Sequence, residues 1–260
     1  MFPAHPPVAE GGSLMQLKDA SVLVVDDEPH YRNIMTGWFE KEGSRVLAAE
    51  NGFRALELIE KNEINAIVTD IRMPEMDGTE LIKRVKALGK YTPTAIAVTG
   101  FSDLPPRDAY DLGIEAQLSK PVERKALVSA LRKTLMDREE LWAEAFRTTT
   151  LPAITIEFEG LRAALRKKKI AFGRGGFCMT SRTPFAEDLS ITFELRFAED
   201  RQNVSGQGTV RWNAVREQLL GIEITRISAQ ARAWVADLAR SNRTVSFIPR
   251  SPATVAITEE

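Results

Sequence analysis

The chain has 260 residues, of which 43% are hydrophobic and 27% charged, and its formal net charge is −1. This size suits one or two domains with a buried core, and the near-neutral charge argues against a dedicated nucleic-acid binder. No apolar run approaches the roughly 20 residues that span a bilayer, and the single cysteine, Cys178, excludes an internal disulfide and a multi-cysteine zinc site, so we expect a cytoplasmic protein.

Residues 1–18 lack the basic flank and apolar core of a signal peptide, so a disordered tail is expected. Residues 19–136 then alternate between short β-rich runs and amphipathic stretches. The predicted strands are Ser21–Val25, Arg45–Ala49, Ala66–Thr69, Thr94–Val98 and Ala116–Ser119. The predicted helices are Pro29–Lys41, Gly52–Lys61, Gly78–Leu88, Pro105–Leu112 and a last one after Pro121. Such alternation predicts a doubly wound α/β domain, a parallel sheet with helices on both faces.

Residues 137–150 are predicted to form a linker helix that extends the last helix of this domain. Leu141, Trp142, Ala145 and Phe146 continue its apolar stripe among charged residues. The stripe is too short for a coiled coil. Such a helix either packs on its own domain, or joins two domains or pairs with a second copy of the chain.

The pattern changes after residue 150, where short strands of alternating hydrophobicity begin. The clearest of them are Ile154–Phe158, Ile191–Phe197, Gly206–Trp212 and Leu220–Ile224. They predict a second, all-β domain over residues 151–245, an antiparallel sandwich or small barrel that ends with a helix over Ala229–Arg240. Residues 246–260 are expected to be a loose tail.

Chemically active side chains follow the strands of the first predicted domain. Asp26 and Asp27 follow the first strand, Asp70 the third, Thr99 the fourth and Lys120 the fifth. The carboxyl ends of parallel strands meet at one edge of the sheet. Crowded carboxylates repel one another unless a cation neutralises them, and Mg²⁺ prefers oxygen ligands. The sequence therefore predicts a magnesium site where a carboxylate accepts a phosphoryl group, whose oxygens the hydroxyl and the ammonium group bind.

Four segments, in order, closely resemble the receiver domain of bacterial two-component response regulators. They are Val24–Pro29, Val68–Gly78, Val98–Gly100 and Ser119–Pro121. The resemblance covers roughly residues 20–135 and implies a flavodoxin-like (βα)5 fold. It also implies that a sensor histidine kinase is the partner that donates the phosphoryl group.

The resemblance assigns a role to each residue of the acidic site. Asp70 would be the phosphoacceptor, and Thr99 and Lys120 would bind the phosphoryl oxygens. The residues that would hold Mg²⁺ are Asp26, Asp27, Asp70 and, through its backbone carbonyl, Arg72.

One position departs from the receiver pattern. The family usually has Tyr or Phe three residues before the lysine, and this chain has Gln117. Pro105 and Pro106 also make the start of the fourth helix atypical. We therefore expect an output surface shifted toward the last helix and its extension, with formation of a homodimer on phosphorylation.

Residues 151–245 resemble the PilZ domain, a six-stranded barrel that commonly binds cyclic di-GMP. Phe172–Phe177 falls where that family has an Asp-x-Ser-x-x-Gly turn, and Thr209–Trp212 followed by Leu220–Ile224 is similar to its later strand pair. Ala171 and Gly173 stand where the family has Asp and Ser, so the domain is interpreted as a degenerate, PilZ-like antiparallel β-barrel.

Binding of cyclic di-GMP therefore stays open. Arg162, Arg166 and Arg174 are the candidate residues for gripping its phosphates. The basic run Arg166–Lys169 is first interpreted as a solvated edge that discourages strand pairing. Binding of cyclic di-GMP or of another anionic partner is the alternative.

The expected function is that of a phosphorylation-controlled response regulator whose PilZ-like domain acts through contacts with an unidentified protein. The alternative is a transcriptional output that binds DNA, but no helix-turn-helix pattern follows residue 150. An enzymatic output is not favoured either, since no nucleophile–base or metal-ligand set is found in the second half. No turnover enzyme is expected.

Overall fold

The computed structural model describes residues 16–88, 93–100, 103–143, 150–241 and 245–252. Two compact units divide the chain. Unit 1 lies within Met1–Pro105 and Leu112–Asp137, and unit 2 within Pro106–Asp111 and Arg138–Glu260. No helix among the described residues is long and apolar enough to cross a membrane.

Unit 1 alternates strands and helices along the chain. Its strands are β1 (Ser21–Val25), β2 (Arg45–Ala49), β3 (Ala66–Thr69), β4 (Thr94–Thr99) and β5 (Ala116–Ser119). Its helices are α1 (Pro29–Lys41), α2 (Gly52–Lys61), α3 (Gly78–Lys86) and, after a fourth helix assigned to unit 2, α5 (Arg124–Leu135).

The five strands form one parallel sheet in the order β2-β1-β3-β4-β5. Every residue of β1 and β3 is buried, as expected for central strands covered on both faces. The order places the carboxyl ends of β1 and β3 side by side, with Val25 paired to Thr69. The predicted flavodoxin-like sheet is confirmed.

Local signals fix where the helices of unit 1 begin. Pro29 occupies the first turn of α1. Asn51 caps α2 by accepting a hydrogen bond from the Arg54 N–H at 2.9 Å, and Asp77 caps α3 in the same way. Residues 1–15 of the expected tail lie outside the described residues, but Leu17 is buried in the core of unit 1.

Unit 2 contains six strands and four helices among the described residues. The strands are β6 (Ala153–Phe158), β7 (Ile170–Phe172), β8 (Gly176–Thr180), β9 (Ser190–Phe197), β10 (Gln202–Ala214) and β11 (Leu219–Ile227). The helices are α4 (Pro106–Asp111), α6 (Arg138–Leu141), α7 (Leu161–Arg166) and α8 (Ala229–Ser241).

The sheet of unit 2 differs from the predicted antiparallel barrel. Its order is β6-β9-β10-β11-β8-β7, and β6 pairs with β9 in parallel, so the sheet is mixed. No described pairing joins the edge strands β6 and β7, so the sheet forms a curled half-barrel. Register shifts at Gln207/Gly208 and Val210/Trp212 bend the long strand β10.

The large core of unit 2 lies on one face of this sheet. Phe172, Phe177, Phe193 and Phe197 pack there against α8. Trp142 joins them, since it is 1% exposed and donates a hydrogen bond from Nε1 to the Ile224 carbonyl at 3.1 Å.

The linker helix expected over residues 137–150 is not a continuation of α5. Met136 has an extended backbone that ends α5, and α6 is a separate helix of four residues. Residues 144–149 lie outside the described residues. The apolar side chain of Trp142 is buried in the core of unit 2, which explains why the stripe continues beyond α5.

A smaller apolar layer covers the other face of the sheet. Ala171 and Cys178 alternate with residues of the large core, so their side chains point the opposite way. We name this cluster the Tyr110 layer. Its members are Tyr110, Ala171, Cys178, Trp212, Leu219, Phe247 and Ile248.

Residues 246–248 therefore correct the prediction of a loose tail that starts at 246. Phe247 and Ile248 are almost fully buried, and the Phe247 N–H donates to the Tyr110 carbonyl at 2.8 Å. Ser246 Oγ donates to Asp111 Oδ1 at 2.9 Å. Burial also raises the pKa of Tyr110 to about 12 and raises that of Cys178, which argues against a reactive thiol.

Replacing Gly175 by alanine is expected to destabilise unit 2 by about 1–3 kcal/mol, the usual cost of overpacking. A Cβ atom there would lie 1.9 Å from Phe247 Cε2, so the ring would have to leave the Tyr110 layer. Hydrogen exchange of the segment 245–250 measures this release. The matched control is Gly37→Ala in α1, where nothing lies within 4 Å and a gain of about 0.5–1 kcal/mol is expected. Unchanged protection of 245–250 in Gly175→Ala would contradict the packing argument.

Candidate functional site

The carboxyl edge of the parallel sheet gathers the predicted acidic residues. Asp26 and Asp27 directly follow β1, and Asp70 directly follows the neighbouring strand β3. Each of the three offers a carboxylate oxygen, and these oxygens lie within 4.8 Å of one another. Asp26 and Asp70 are buried, and Asp27 is the most accessible of the three.

The Asp70 carboxylate is held by three donors. Its Oδ1 accepts hydrogen bonds from the backbone N–H groups of Ile71 (2.6 Å) and Arg72 (3.3 Å). Its Oδ2 accepts one from Lys120 Nζ at 2.7 Å. Gly78 makes room for this loop, because a Cβ atom there would lie 2.0 Å from the Asp70 carbonyl oxygen. These contacts fix a nucleophilic oxygen beside a positive charge.

Lys120 follows β5 and lies among the acids. Its Nζ is 3.0 Å from Asp26 Oδ2 and 3.3 Å from Glu28 Oε1, and it lies 4.6 Å from the centre of the Tyr31 ring. Burial alone would lower the pKa of Lys120, but its hydrogen bond to Asp70 and its ion pair with Asp26 outweigh that effect and raise the pKa. The ammonium group is therefore charged at any physiological pH.

Lys120 does not fully compensate the buried negative charge of the Asp26 carboxylate. Burial raises the pKa of its carboxyl group, although Lys120 and the Glu28 N–H oppose the shift. Its buried Oδ2 accepts no hydrogen bond of good geometry, despite the nearby Lys120 Nζ. An unsatisfied buried carboxylate oxygen within a cluster of three acids fits a hard divalent cation such as Mg²⁺.

A cleft of about 580 Å³ opens beside Asp27, one of the three acids. Asp27 and Arg72 line it, together with Asp77 and Thr79 at the start of α3. Several of the residues that line the cleft next to the Asp70 loop are polar.

Thr99, the last residue of β4, is 2% exposed. Its hydroxyl group donates a hydrogen bond to Asp103 Oδ2 at 2.9 Å, and Asp103 also forms an ion pair with Arg72. The pattern of predicted strand ends did not single out Asp103, because it lies four residues beyond the strand in a segment with no periodicity. In the sequence, the one signal for Asp103 is that an acidic residue follows the threonine of β4 at a distance of four residues.

Gln117 faces the same segment. Its Nε2 donates to the Leu104 carbonyl at 2.8 Å, whereas its buried Oε1 has no hydrogen-bond partner. The position expected to hold an aromatic ring therefore holds an amide that ties β5 to the segment before α4.

The arginines predicted for cyclic di-GMP lie on unit 2. Arg162 and Arg166 are exposed on α7, whereas Arg174 is half-buried in the turn between β7 and β8. Arg174 Nε donates to the Val245 carbonyl at 3.2 Å, and the N–H groups of Arg174 and Gly175 donate to the carbonyls of residues 246 and 247. Residues 246 and 247 of the same chain therefore already accept the hydrogen bonds that the backbone N–H groups of this turn donate.

Comparison with known proteins concerns the first half of the chain. The model of the response regulator receiver domain matches residues 22–132. An uncharacterized 14.6 kDa protein of Leptolyngbya boryana is 38% identical over 122 residues, which cover 46% of this chain and 93% of that protein. Sporulation initiation phosphotransferase F of Bacillus subtilis is 28% identical over 120 residues, covering 46% of this chain and 96% of that protein.

Solved structures match the same share of the chain. A response regulator receiver domain protein from Clostridium thermocellum is 28% identical and covers 45% of this chain and 94% of that one, with a TM-score of 0.42. Other curated relatives are longer proteins, of which this chain spans 13% to 31%.

Proposed function

Because this chain belongs to the response regulator receiver domain family through residues 22–132, we propose that it is a response regulator phosphorylated on Asp70 by a sensor histidine kinase. The observation that carries the proposal is the Asp70 carboxylate, held by Lys120 at 2.7 Å inside a cluster of three acids. The receiver family supports a signalling function rather than that of a turnover enzyme.

The phosphoryl transfer is a substitution at phosphorus. Asp70 Oδ forms a new P–O bond while the P–N bond of the donor phosphohistidine breaks, and the imidazole leaves with a proton from water. Backbone N–H groups of Ile71 and Arg72 fix the other carboxylate oxygen, so Asp70 is already oriented for attack.

Developing negative charge needs donors at the phosphoryl oxygens. Lys120 would shift from the free carboxylate to the new phosphoryl group, and Thr99 Oγ would supply a hydroxyl donor. Mg²⁺, held by Asp26, Asp27, Asp70 and the Arg72 carbonyl, would neutralise phosphoryl charge when bound. The name of the B. subtilis relative, a phosphotransferase, supports this chemistry.

The direct test is labelling of the full chain with acetyl phosphate, followed by intact-mass measurement. Wild-type protein is expected to gain one phosphoryl group in Mg²⁺ and none in EDTA. Asp70→Asn keeps the shape of the side chain but removes the nucleophile, so it should stay unlabelled under both conditions. Labelling of Asp70→Asn to the wild-type level would refute the assignment.

Unit 2 is the proposed effector domain. We interpret its curled sheet with the closing helix α8 as PilZ-like, acting through contacts with an unidentified protein. The DNA-binding alternative is not favoured, because the described helices α7 and α8 are separated by five strands and form no helix-turn-helix. A pull-down with and without a phosphoryl mimic, with Asp70→Ala as control, would identify the partner.

Binding of cyclic di-GMP to unit 2 is a separate part of this proposal. Arg162, Arg166 and Arg174 would bind its phosphates, but residues 246 and 247 already accept hydrogen bonds from the turn that holds Arg174. Calorimetry with cyclic di-GMP tests it. Heat that is lost in Arg166→Ala would support binding, and no heat at high micromolar ligand would exclude it.

Homodimerisation on phosphorylation also belongs to the proposal. The apolar stripe of residues 127–146 is the surface expected from the sequence, but Leu127 and Leu131 are buried in the core of unit 1. Sedimentation velocity with and without a phosphoryl mimic would measure dimer formation. An unchanged sedimentation coefficient would count against it.

A further inference from the structure

Asp103 accepts the one hydrogen bond that the Thr99 hydroxyl group can donate. The Thr99 hydroxyl group donates to Asp103 Oδ2 at 2.9 Å, and a threonine hydroxyl has one proton to donate. The side chain of Asp103 is only 11% exposed, and its other oxygen pairs with Arg72. The donor that a phosphoryl group on Asp70 requires is therefore already in use.

Resting on the proposed phosphorylation of Asp70, we propose that Asp103 is a positioning residue that competes with the phosphoryl group for Thr99. Both are anions that accept the same hydroxyl hydrogen bond. Asp103 also lines the same cleft as Asp27. Phosphorylation has to break the Thr99–Asp103 hydrogen bond.

The position of Asp103 in the chain gives this exchange a consequence. Asp103 lies three residues before Pro106, the first residue of α4. Two side chains tether this short segment to the sheet of unit 1: Thr99 through Asp103, and Gln117 through the Leu104 carbonyl. Loss of the first tether frees the segment that leads into α4.

Two simpler roles for Asp103 fit the structure less well. It is not one of the three acids whose oxygens cluster, so it is not placed as a ligand of the same cation. Its ion pair with Arg72 could be purely structural, but Arg72 is 75% exposed, and exposed pairs contribute little to stability.

The test is a double-mutant cycle on the full chain with beryllofluoride, a phosphoryl mimic, in the presence of Mg²⁺. Fluorine NMR gives the dissociation constant for wild type, Asp103→Ala, Thr99→Ala and the double variant. Asp103→Ala is expected to bind about ten-fold more tightly, because no charge-assisted hydrogen bond has to break. In the Thr99→Ala background the same substitution should change the affinity by less than about two-fold, since the competition is gone.

The variant Asp77→Asn is the control for the loss of one negative charge. Asp77 lines the same cleft, and asparagine preserves the cap of α3, so this variant measures the general effect of removing one negative charge. Asp103→Asn keeps an acceptor oxygen for Thr99 and is expected to give a smaller gain than Asp103→Ala.

The outcomes separate this inference from the proposed function. If wild-type protein binds no beryllofluoride, both fail. If wild-type protein binds it and Asp103→Ala has the same affinity, or gains equally with and without Thr99, only the role of Asp103 is overturned. A gain that depends on Thr99, accompanied by faster hydrogen exchange of residues 103–111 on beryllofluoride binding to wild type, supports it.

Discussion

Replacement of Lys120 by methionine is expected to lower the rate of Asp70 phosphorylation by about two orders of magnitude, the usual cost of losing one donor to a developing charge. Lys120 Nζ lies 2.7 Å from Asp70 Oδ2 and 3.0 Å from Asp26 Oδ2, so it is placed to follow the negative charge from carboxylate to phosphoryl group. Methionine keeps the apolar stem and removes the ammonium group. The rate of labelling from acetyl phosphate measures the effect.

Affinity for Mg²⁺ distinguishes this loss from a collapsed site. Without the lysine, three clustered carboxylates lose a competing cation, so calorimetry should show Mg²⁺ binding at least as tightly as in wild type. Lys125→Met, on the exposed side of α5, is the matched control and should label at the wild-type rate. Wild-type labelling by Lys120→Met would contradict the assigned role.

Replacement of Glu115 by glutamine is expected to destabilise unit 1 by about 3 to 5 kcal/mol, because it breaks a buried ion pair by removing the charge of one member. Glu115 Oε1 lies 3.4 Å from Lys86 Nζ, and both side chains are 2% exposed. The second carboxylate oxygen accepts the Ala95 N–H at 2.5 Å, and Lys86 donates to the Pro93 carbonyl. This pair ties α3 to the amino-terminal ends of β4 and β5.

Hydrogen exchange of the β4 and β5 peptides measures the loss within the full chain. Glu60→Gln, exposed on α2, makes the same chemical change at the surface and should leave exchange unaltered. The double variant Lys86→Met/Glu115→Gln removes both charges and keeps an acceptor oxygen for the Ala95 N–H, so it should recover most of the stability. Wild-type protection in Glu115→Gln would show that the ion pair contributes little.

The parallel sheet and the acidic edge could be predicted because their signals are local. Each buried strand is a short apolar run, and each chemical side chain follows its strand directly, as Asp70 follows β3. Parallel topology then brings Asp26 and Asp70 to one edge without further information. Proline at the start of α1 and the Asn51 cap of α2 are likewise readable from a few neighbouring residues.

The remainder depends on contacts between distant residues. Alternating hydrophobicity identified the strands of unit 2. It does not indicate which strand pairs with which, or in which direction, so the parallel pairing of β6 with β9 could not be predicted. Phe247 appeared to belong to a tail because its partner Tyr110 lies far away in sequence. Asp103 was missed for a related reason. It lies in an irregular segment, and its hydrogen bond to Thr99 is visible only in the folded structure.

The presence of α4 in unit 2 makes that unit discontinuous along the chain. A truncated protein that begins at Arg138 would contain every strand of unit 2 but not Tyr110, whose carbonyl accepts the Phe247 N–H. Trp212 and Phe247 would then be uncovered, and exposed apolar surface of this kind favours aggregation. During synthesis α4 leaves the ribosome before any strand of unit 2. The surface on which Tyr110 of α4 packs is therefore complete only after residue 248 has been made. A chain cut after the residues that match the receiver family therefore separates unit 2 from a piece of its own core.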